Sequence, residues 1–132
     1  MNYEDRVNHD NYKGDNQNIG TRLMSAKTLV GNEVCNHSGD SLGDIKEIML
    51  DTGTGKVCYA VLSYGGVFGV GSKLFAVPWS ALKLNSEEKT FVLNIDKDNL
   101  KNAPGFDKDN WPDMADKSWE SEIHTYYGTS KQ

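Results

Sequence analysis

At 132 residues, with 37% hydrophobic and 25% charged side chains, the chain has the size and composition of one globular domain. A chain of this length buries roughly two thirds of its unfolded surface, enough for a core without metals or disulfides. The net charge of −5 sits at the ends: residues 1–20 carry four acids and two bases, 21–93 seven of each, and 94–132 eight acids and five bases. No basic stripe forms, which argues against nucleic acid as the main ligand.

The start, Met1-Asn2-Tyr3-Glu4-Asp5-Arg6, has neither the basic nor the apolar part of a signal peptide. No apolar run approaches the ~18 residues of a membrane span. A cytoplasmic protein with no integral membrane segment is therefore expected. Residues 1–22 hold five asparagines and three aspartates, with little apolar beyond Tyr3, Val7, Tyr12 and Ile19. They cannot bury enough surface to offset their ordering entropy, and a flexible arm is expected there.

From Leu29 to Ile95 short apolar segments alternate with turn chemistry. The first, roughly Leu29–Asn36, closes on His37-Ser38-Gly39-Asp40. The second, about Gly43–Asp51, turns through Thr52-Gly53-Thr54-Gly55 into the third, Lys56–Tyr64, as a hairpin. Lys73–Val77, Leu82–Leu84 and Lys89–Ile95 supply three more, the last two joined by Asn85-Ser86-Glu87-Glu88. Six short strands at this spacing predict a small barrel or sandwich. In the second strand Ile45 and Ile48 are three apart, and a bulge near Lys46-Glu47 would turn both to the core. In the third, Val57, Tyr59 and Val61 share one face while Cys58, Ala60 and Leu62 share the other. Both are apolar, so one fills the barrel and the other lies under something else. Gly43, Gly55 and Gly66 are expected to hold backbone shapes that a side chain would strain.

The C-terminal stretch begins with a short helix near Asp98–Asn102, stopped by Pro104-Gly105. A second helix follows Trp111-Pro112, with Asp113 or Asp116 as its cap. Trp119, Ile123 and Tyr126 recur on one face, and Gly128 marks the stop. The tetrad Asp-Lys-Asp-Asn occurs at 96–99 and again at 107–110, where both copies read as helix caps rather than an architectural repeat.

Motifs for chemistry are sparse. The run Gly65-Gly66-Val67-Phe68-Gly69-Val70-Gly71-Ser72-Lys73 suggests a phosphate loop, but Ser72 precedes Lys73 and a strand follows, so a glycine-rich connection between strands is the better reading. Asp107 and Asp109 start like a calcium loop, yet Trp111 and Pro112 stand where an oxygen ligand and a glycine are needed. His9, His37 and His124 lack a nucleophile at suitable spacing, and Trp79 after Pro78 reads as a barrel plug rather than a ligand-stacking group. Cys35 and Cys58 fall on the first and third strands, too far apart to bond. Neither belongs to a zinc pattern. No metal and no cofactor is expected.

Taken in order, Gly31-x-x-Val34, Gly39-x-x-Leu42-Gly43-x-Ile45, Asp51-x-x-Thr54-Gly55-x-Val57-x-Tyr59-x-Val61, Gly65-Gly66-x-x-Gly69-x-Gly71-x-Lys73 and Val77-Pro78-Trp79-x-x-Leu82 form a specific set. Over about residues 23–106 the chain resembles the PRC-barrel family, named for the cytoplasmic domain of the photosynthetic reaction-centre H subunit. Its tail, from Ala103-Pro104-Gly105-Phe106 to Tyr126-Tyr127-Gly128, resembles stand-alone bacterial members. The resemblance implies a six-stranded barrel used as an adaptor. In the reaction centre such a domain supports electron-transfer subunits, and in ribosome-maturation factors a similar one accompanies an RNA-processing module. Neither a membrane anchor nor a second folded module is expected here, so those roles are not carried over, and the family supplies no catalytic residue to place.

The expectation is thus an all-β, six-stranded antiparallel barrel with a C-terminal helical extension: an arm at 1–22, the barrel at 23–106 and a helical tail at 107–132. Its expected role is a non-catalytic protein-interaction or regulatory adaptor, self-associating as a homodimer. The alternative is a small-molecule binder or enzyme using the glycine-rich loop or barrel mouth. Apolar surface beyond what a barrel interior needs marks the candidate interface: Cys58, Ala60 and Leu62 on the third strand, Val67 and Phe68 in the loop, and Trp111, Trp119, Ile123, Tyr126 and Tyr127 in the tail. The competing expectation is that the tail folds back on its own barrel and leaves a monomer.

Overall fold

A computed structural model describes residues 23–65, 71–85, 87–88 and 90–130. The expected arm at 1–22, Gly66, Val67 and Phe68 lie outside the described residues. Ser25 caps a single helical turn, α1 (Ala26–Leu29), by accepting from the Lys27 amide at 3.2 Å. Strands β1 (Glu33–Cys35), β2 (Ser41–Asp51), β3 (Lys56–Tyr64) and β4 (Lys73–Pro78) follow. A 3-10 turn, Trp79–Ala81, leads into β5 (Leu82–Asn85) and β6 (Thr90–Leu93), and helices α2 (Lys97–Lys101) and α3 (Lys117–Tyr127) complete the chain. The first expected strand is shorter than its apolar run, because Ser25 draws Leu29 into α1.

The six strands form one curled sheet in the order β4-β3-β2-β1-β6-β5. Its neighbours are antiparallel except β1 and β6, which run parallel through Val34↔Phe91 and Cys35↔Val92. The expected all-antiparallel barrel is therefore corrected to a mixed half-barrel, with β4 and β5 at its two ends. The cause is the Trp79–Ala81 turn. It carries the chain from one end of the sheet to the other, so the β5–β6 hairpin arrives from the far side and lays β6 alongside β1.

Two irregularities set the faces of the β2–β3 hairpin. Register jumps between Ile45↔Leu62 and Glu47↔Val61, leaving Lys46 as the extra residue. Ile45 is thereby buried and Ile48 packs on the same core, as the three-residue spacing requires. A second jump, between Met49↔Tyr59 and Leu50↔Val57, leaves Cys58 extra. Ala60 and Leu62, expected on the outer face, lie instead in the main core, while Tyr59 points outward to a second cluster with Ala76 and Ile123. Alternation sorts residues into two sets; it does not say which set faces inward. The bulge at Cys58 also moves Val57 across to the inner side, where it lines a groove with Ile48 and Phe91.

The core is closed by Phe75, Leu42, Ile45, Leu62, Val34 and Val77, with Leu100 of α2 inserted from the end. Among the described residues two polar side chains are buried, Asn36 and His124, and Asn36 is satisfied in the core. Its Oδ1 accepts from the amides of Ser38 (3.0 Å) and Asp40 (2.9 Å), and its Nδ2 donates to the Ile95 carbonyl at 3.2 Å, tying the 37–40 turn to the end of β6. Gly43 and Gly55 hold φ of 103° and 80°, in the left-handed region. Cys35 and Cys58 are both free, on strands separated by β2.

Candidate functional site

The aromatic tail folds onto its own barrel. Of the two candidate caps, Asp116 starts α3: its carboxylate accepts from the amides of Ser118 (2.8 Å) and Trp119 (3.4 Å) and from the Ser118 hydroxyl (2.9 Å). Gly128, with φ of 70°, ends the helix. Between these caps Ile123 is buried against Tyr59 and Ala76, and Trp119 meets the Tyr59 ring edge-on at 5.3 Å. Upstream, Phe106 exchanges two backbone hydrogen bonds of 2.9 Å with Leu74 on β4 and packs its ring at a tilt of 56° against Trp111. The outer face of β3 and β4 is thus covered from within the chain. Of the expected interface, Ala60, Leu62 and Ile123 are interior, Trp119 and Tyr127 are half-buried, and Cys58, Trp111 and Tyr126 are exposed. Tyr126 donates its hydroxyl to the Asn99 carbonyl, which orients it along α2.

The bonds to Asp116 hold its carboxyl below the ordinary value of 3.8, the Ser118 hydroxyl and amide contributing most. A depressed folded pKa means that the capping contribution is complete above the unfolded value and is lost as pH falls through the lower folded one. Acid titration followed by Trp119 fluorescence and far-UV circular dichroism is expected to show α3 loosening in that window. Asp116→Asn is expected to weaken the pH dependence, and an unchanged acid profile in that variant would exclude the cap as its source.

The open side of the half-barrel carries an apolar groove of about 380 Å³. Met24, Ala26 and Leu29 form one wall, Ile48 and Val57 a second, and Trp79, Leu82, Leu84 and Phe91 the third, with the Trp79 and Phe91 rings 5.7 Å apart. Its lip at Leu84 is 39% accessible; Leu50, which pairs with the groove residue Val57 in the ladder, is 50% accessible. Sequence reading missed this surface. Its signal was present, since Leu50, Leu82 and Leu84 are apolar at strand ends that have more apolar neighbours than one small core needs. What was missing is that the fold brings β5 and the β2–β3 hairpin to one groove.

A second, polar cleft of about 220 Å³ lies between the hairpin tip and α3. Asp51, Thr54, Lys56 and Cys58 line it from the hairpin, Trp79 and Ser80 from the turn, and Glu120 and His124 from the helix, with Tyr59 beneath. The Tyr59 side chain is 5% exposed and its hydroxyl has no hydrogen-bond partner among the described residues. Burial first, then the charge of Glu120 and the Cys58 thiol, push its pKa up to about 12. It is therefore a neutral phenol at physiological pH. Stability is lost as pH rises from the ordinary tyrosine range through that value, because the unfolded phenol ionises first. The His124 ring nitrogen Nδ1 lies 2.7 Å from the Thr129 hydroxyl, a contact that holds the chain after Gly128 against the helix. Among the described residues, no group of three His, Cys, Asp or Glu side chains could hold a metal ion, and no helix is long and apolar enough to cross a membrane.

Tyr59→Phe removes a buried hydroxyl that makes no bond, so it is expected to leave stability unchanged or raise it by up to about 1 kcal/mol. Urea denaturation checks this. A loss above about 1 kcal/mol would show that the hydroxyl has a partner in solution.

Among solved structures, the chain is similar to a putative 16S ribosomal RNA processing protein RimM from Pseudomonas aeruginosa, at 14% identity and a TM-score of 0.39. The likeness covers 59% of this chain and 48% of that one, so the match spans about half the length of that protein. No curated protein matches the sequence. The model of the PRC-barrel domain matches residues 22–100, more than half of the chain. With its curled six-stranded sheet and the ordered glycine, valine and Pro-Trp motifs, the chain belongs to the PRC-barrel family.

Proposed function

We propose that this chain is a non-catalytic protein-interaction module that works in the cytoplasm and self-associates as a homodimer, with the apolar groove as its contact surface. The observation that carries the reading is the groove itself: nine apolar residues line it, and its lip at Leu84 stands in water. An exposed apolar surface of this kind marks a docking site more often than a catalytic one. The acidic net charge disfavours a nucleic-acid backbone as the partner. The dimer interface expected on β3 and the tail is replaced, because α3 already covers that face.

Light scattering across a dilution series tests self-association. A dimer mass that falls to the monomer on dilution supports it, and a constant monomer mass at tens of micromolar overturns it. Leu84→Lys, which places a charge on the lip, is expected to weaken the dimer at least tenfold while leaving the fold intact.

A second reading, a small-molecule binder, rests on the polar cleft, where the unpartnered Tyr59 hydroxyl lies below Glu120 and His124. Native mass spectrometry of the purified protein separates the two. A small molecule bound at one per chain favours the cleft, and a bare dimer favours the groove.

A further inference from the structure

We infer that the cleft between the hairpin tip and α3 binds a small uncharged lactam, a single planar ring whose carbonyl accepts from the Tyr59 hydroxyl while its N–H donates to the Glu120 carboxylate. The inference rests on the small-molecule reading of the cleft given above and names the class of ligand. It leaves the groove its own role, since Val57 and Trp79 line both cavities and form the partition between them.

Tyr59 carries the argument. A buried donor without an acceptor is uncommon, because the bond it makes with water in the unfolded chain is not replaced. The Tyr59 side chain is 5% exposed, and its hydroxyl has no partner among the described residues. Its ring is seated against Trp119 at 5.3 Å and His124 at 5.9 Å, with Ala76 and Ile123 beside it. The hydroxyl end belongs to the cleft: the charges that act on it are those of Glu120 and Cys58, and both line the cleft. Tyr127 also has a buried hydroxyl without a partner, but it packs against the two core clusters and lines neither the cleft nor the groove. One water would satisfy the Tyr59 hydroxyl alone. The cleft, at about 220 Å³, holds several times the ~30 Å³ of a water, and Val57 and Trp79 give it an apolar side.

Electrostatics choose the class. Burial, then the charge of Glu120, pushes the phenol pKa up to about 12. The same two causes disfavour any other negative charge at that point, so a carboxylate or phosphate is rejected. Lys56 does not reverse this, because it lies opposite Asp51 across the hairpin and the two charges offset each other. An ammonium ligand has no lone pair to accept the phenol proton. An uncharged carbonyl does. Glu120 then favours a donor beside that carbonyl. A carboxylate accepts up to about four hydrogen bonds, so one ligand N–H adds to whatever it already holds. A carbonyl with an adjacent N–H is the edge of a lactam. Size limits the rest: the cleft is smaller than the ~300–1,000 Å³ of pockets for drug-sized molecules, so it takes one ring, with Trp79 as its aromatic wall.

Titration of the full chain with α-pyridone, followed by backbone amide chemical shifts, tests the inference. Saturable shifts are expected at Cys58, Tyr59, Glu120 and His124, with Leu84 and Phe91 of the groove unmoved, and with a dissociation constant in the millimolar range of a single-ring fragment. N-methyl-α-pyridone, which keeps the carbonyl and loses the donor, is expected to bind about tenfold more weakly, and so is benzoate, which brings a negative charge. Tyr59→Phe, with an unchanged circular dichroism spectrum, is expected to weaken α-pyridone by about tenfold, and Glu120→Gln to narrow its advantage over benzoate. If benzoate or N-methyl-α-pyridone binds the same residues as tightly, or Tyr59→Phe binds α-pyridone unchanged, the lactam is wrong and the small-molecule reading stands. If none of the three probes shifts the cleft amides, the lactam is overturned. The absence of any bound small molecule in native mass spectrometry then overturns the reading with it.

Discussion

Gly43→Ala is expected to cost about 3–5 kcal/mol of stability, a loss at the top of the usual range for single substitutions. Two effects combine at this position near the start of β2. With φ of 103°, the backbone is in the left-handed region, where a side chain costs on the order of 1 kcal/mol or more. The larger effect is contact. A Cβ on residue 43 would stand 2.1 Å from the Ser63 carbonyl oxygen, 3.0 Å from its carbon and 3.3 Å from the Tyr64 Cα. These are backbone atoms of β3, held by the ladder through Asp44↔Ser63 on one side and Ser63↔Leu74 on the other. No rotamer change relieves the clash. The two central strands must separate by more than an ångström beside Leu42, Ile45 and Leu62, which have no free space. Gly39→Ala is the control, because Gly39 has φ of 86° and nothing within 4 Å of its virtual Cβ. It should cost only the backbone part, about 1 kcal/mol. Urea denaturation of both variants isolates the close approach, and equal losses would remove it from the argument.

That contrast shows which parts of the fold were legible in the residues alone. Turn glycines, strand segments and the bulge at Lys46 follow from local chemistry: Gly55 closes the 51–55 turn, and Ile45 and Ile48 cannot share a face without an extra residue. The parallel pairing of β1 with β6 was not legible, because Val34 and Phe91 are brought together by a turn whose direction no local pattern encodes. The faces of β3 were half legible. Its two apolar sets are visible in the sequence, but Ala60 and Leu62 turned out to be the inner ones, and Cys58 as an extra residue moved Val57 to their side. Of the interface expected from the excess of apolar surface, Ala60, Leu62 and Ile123 lie inside the fold. Ile123 and Trp119 cover the outer face of β3 and β4, and exposed apolar side chains stand at Leu50 and Leu84. The polar cleft was not legible at all, since the hairpin tip and α3 are far apart in sequence.

The covering role of α3 makes Ile123→Ala the second large effect. Ile123 is almost fully buried in a cluster separate from the main core, with Tyr59 and Ala76 as its buried neighbours and Met49, Phe106, Met114 and Trp119 around it. Truncating a buried isoleucine costs about 2–5 kcal/mol, and more where the surroundings cannot collapse into the cavity. Here the floor is two strands of the central sheet and the roof is one helix of 11 residues. The floor cannot rise, so the helix must sink or leave. A helix this short is marginal without its packed face, and Tyr127 alone also touches the main core. The expected result is therefore local. Amide exchange in α3 becomes fast and Trp119 fluorescence shifts to the red at denaturant concentrations where the amides of β2 and β3 remain protected. Phe75→Ala, in the main core, is expected to cost a similar 3–5 kcal/mol but to lower the protection of helix and strands together. Freed of α3, the apolar outer face of Tyr59 and Ala76 would be open to water, so Ile123→Ala should also associate more than the parent protein, a change that light scattering detects. If α3 and the sheet instead lose protection in step in both variants, the helix is part of one cooperative core, and the two clusters are a geometric division with no thermodynamic meaning.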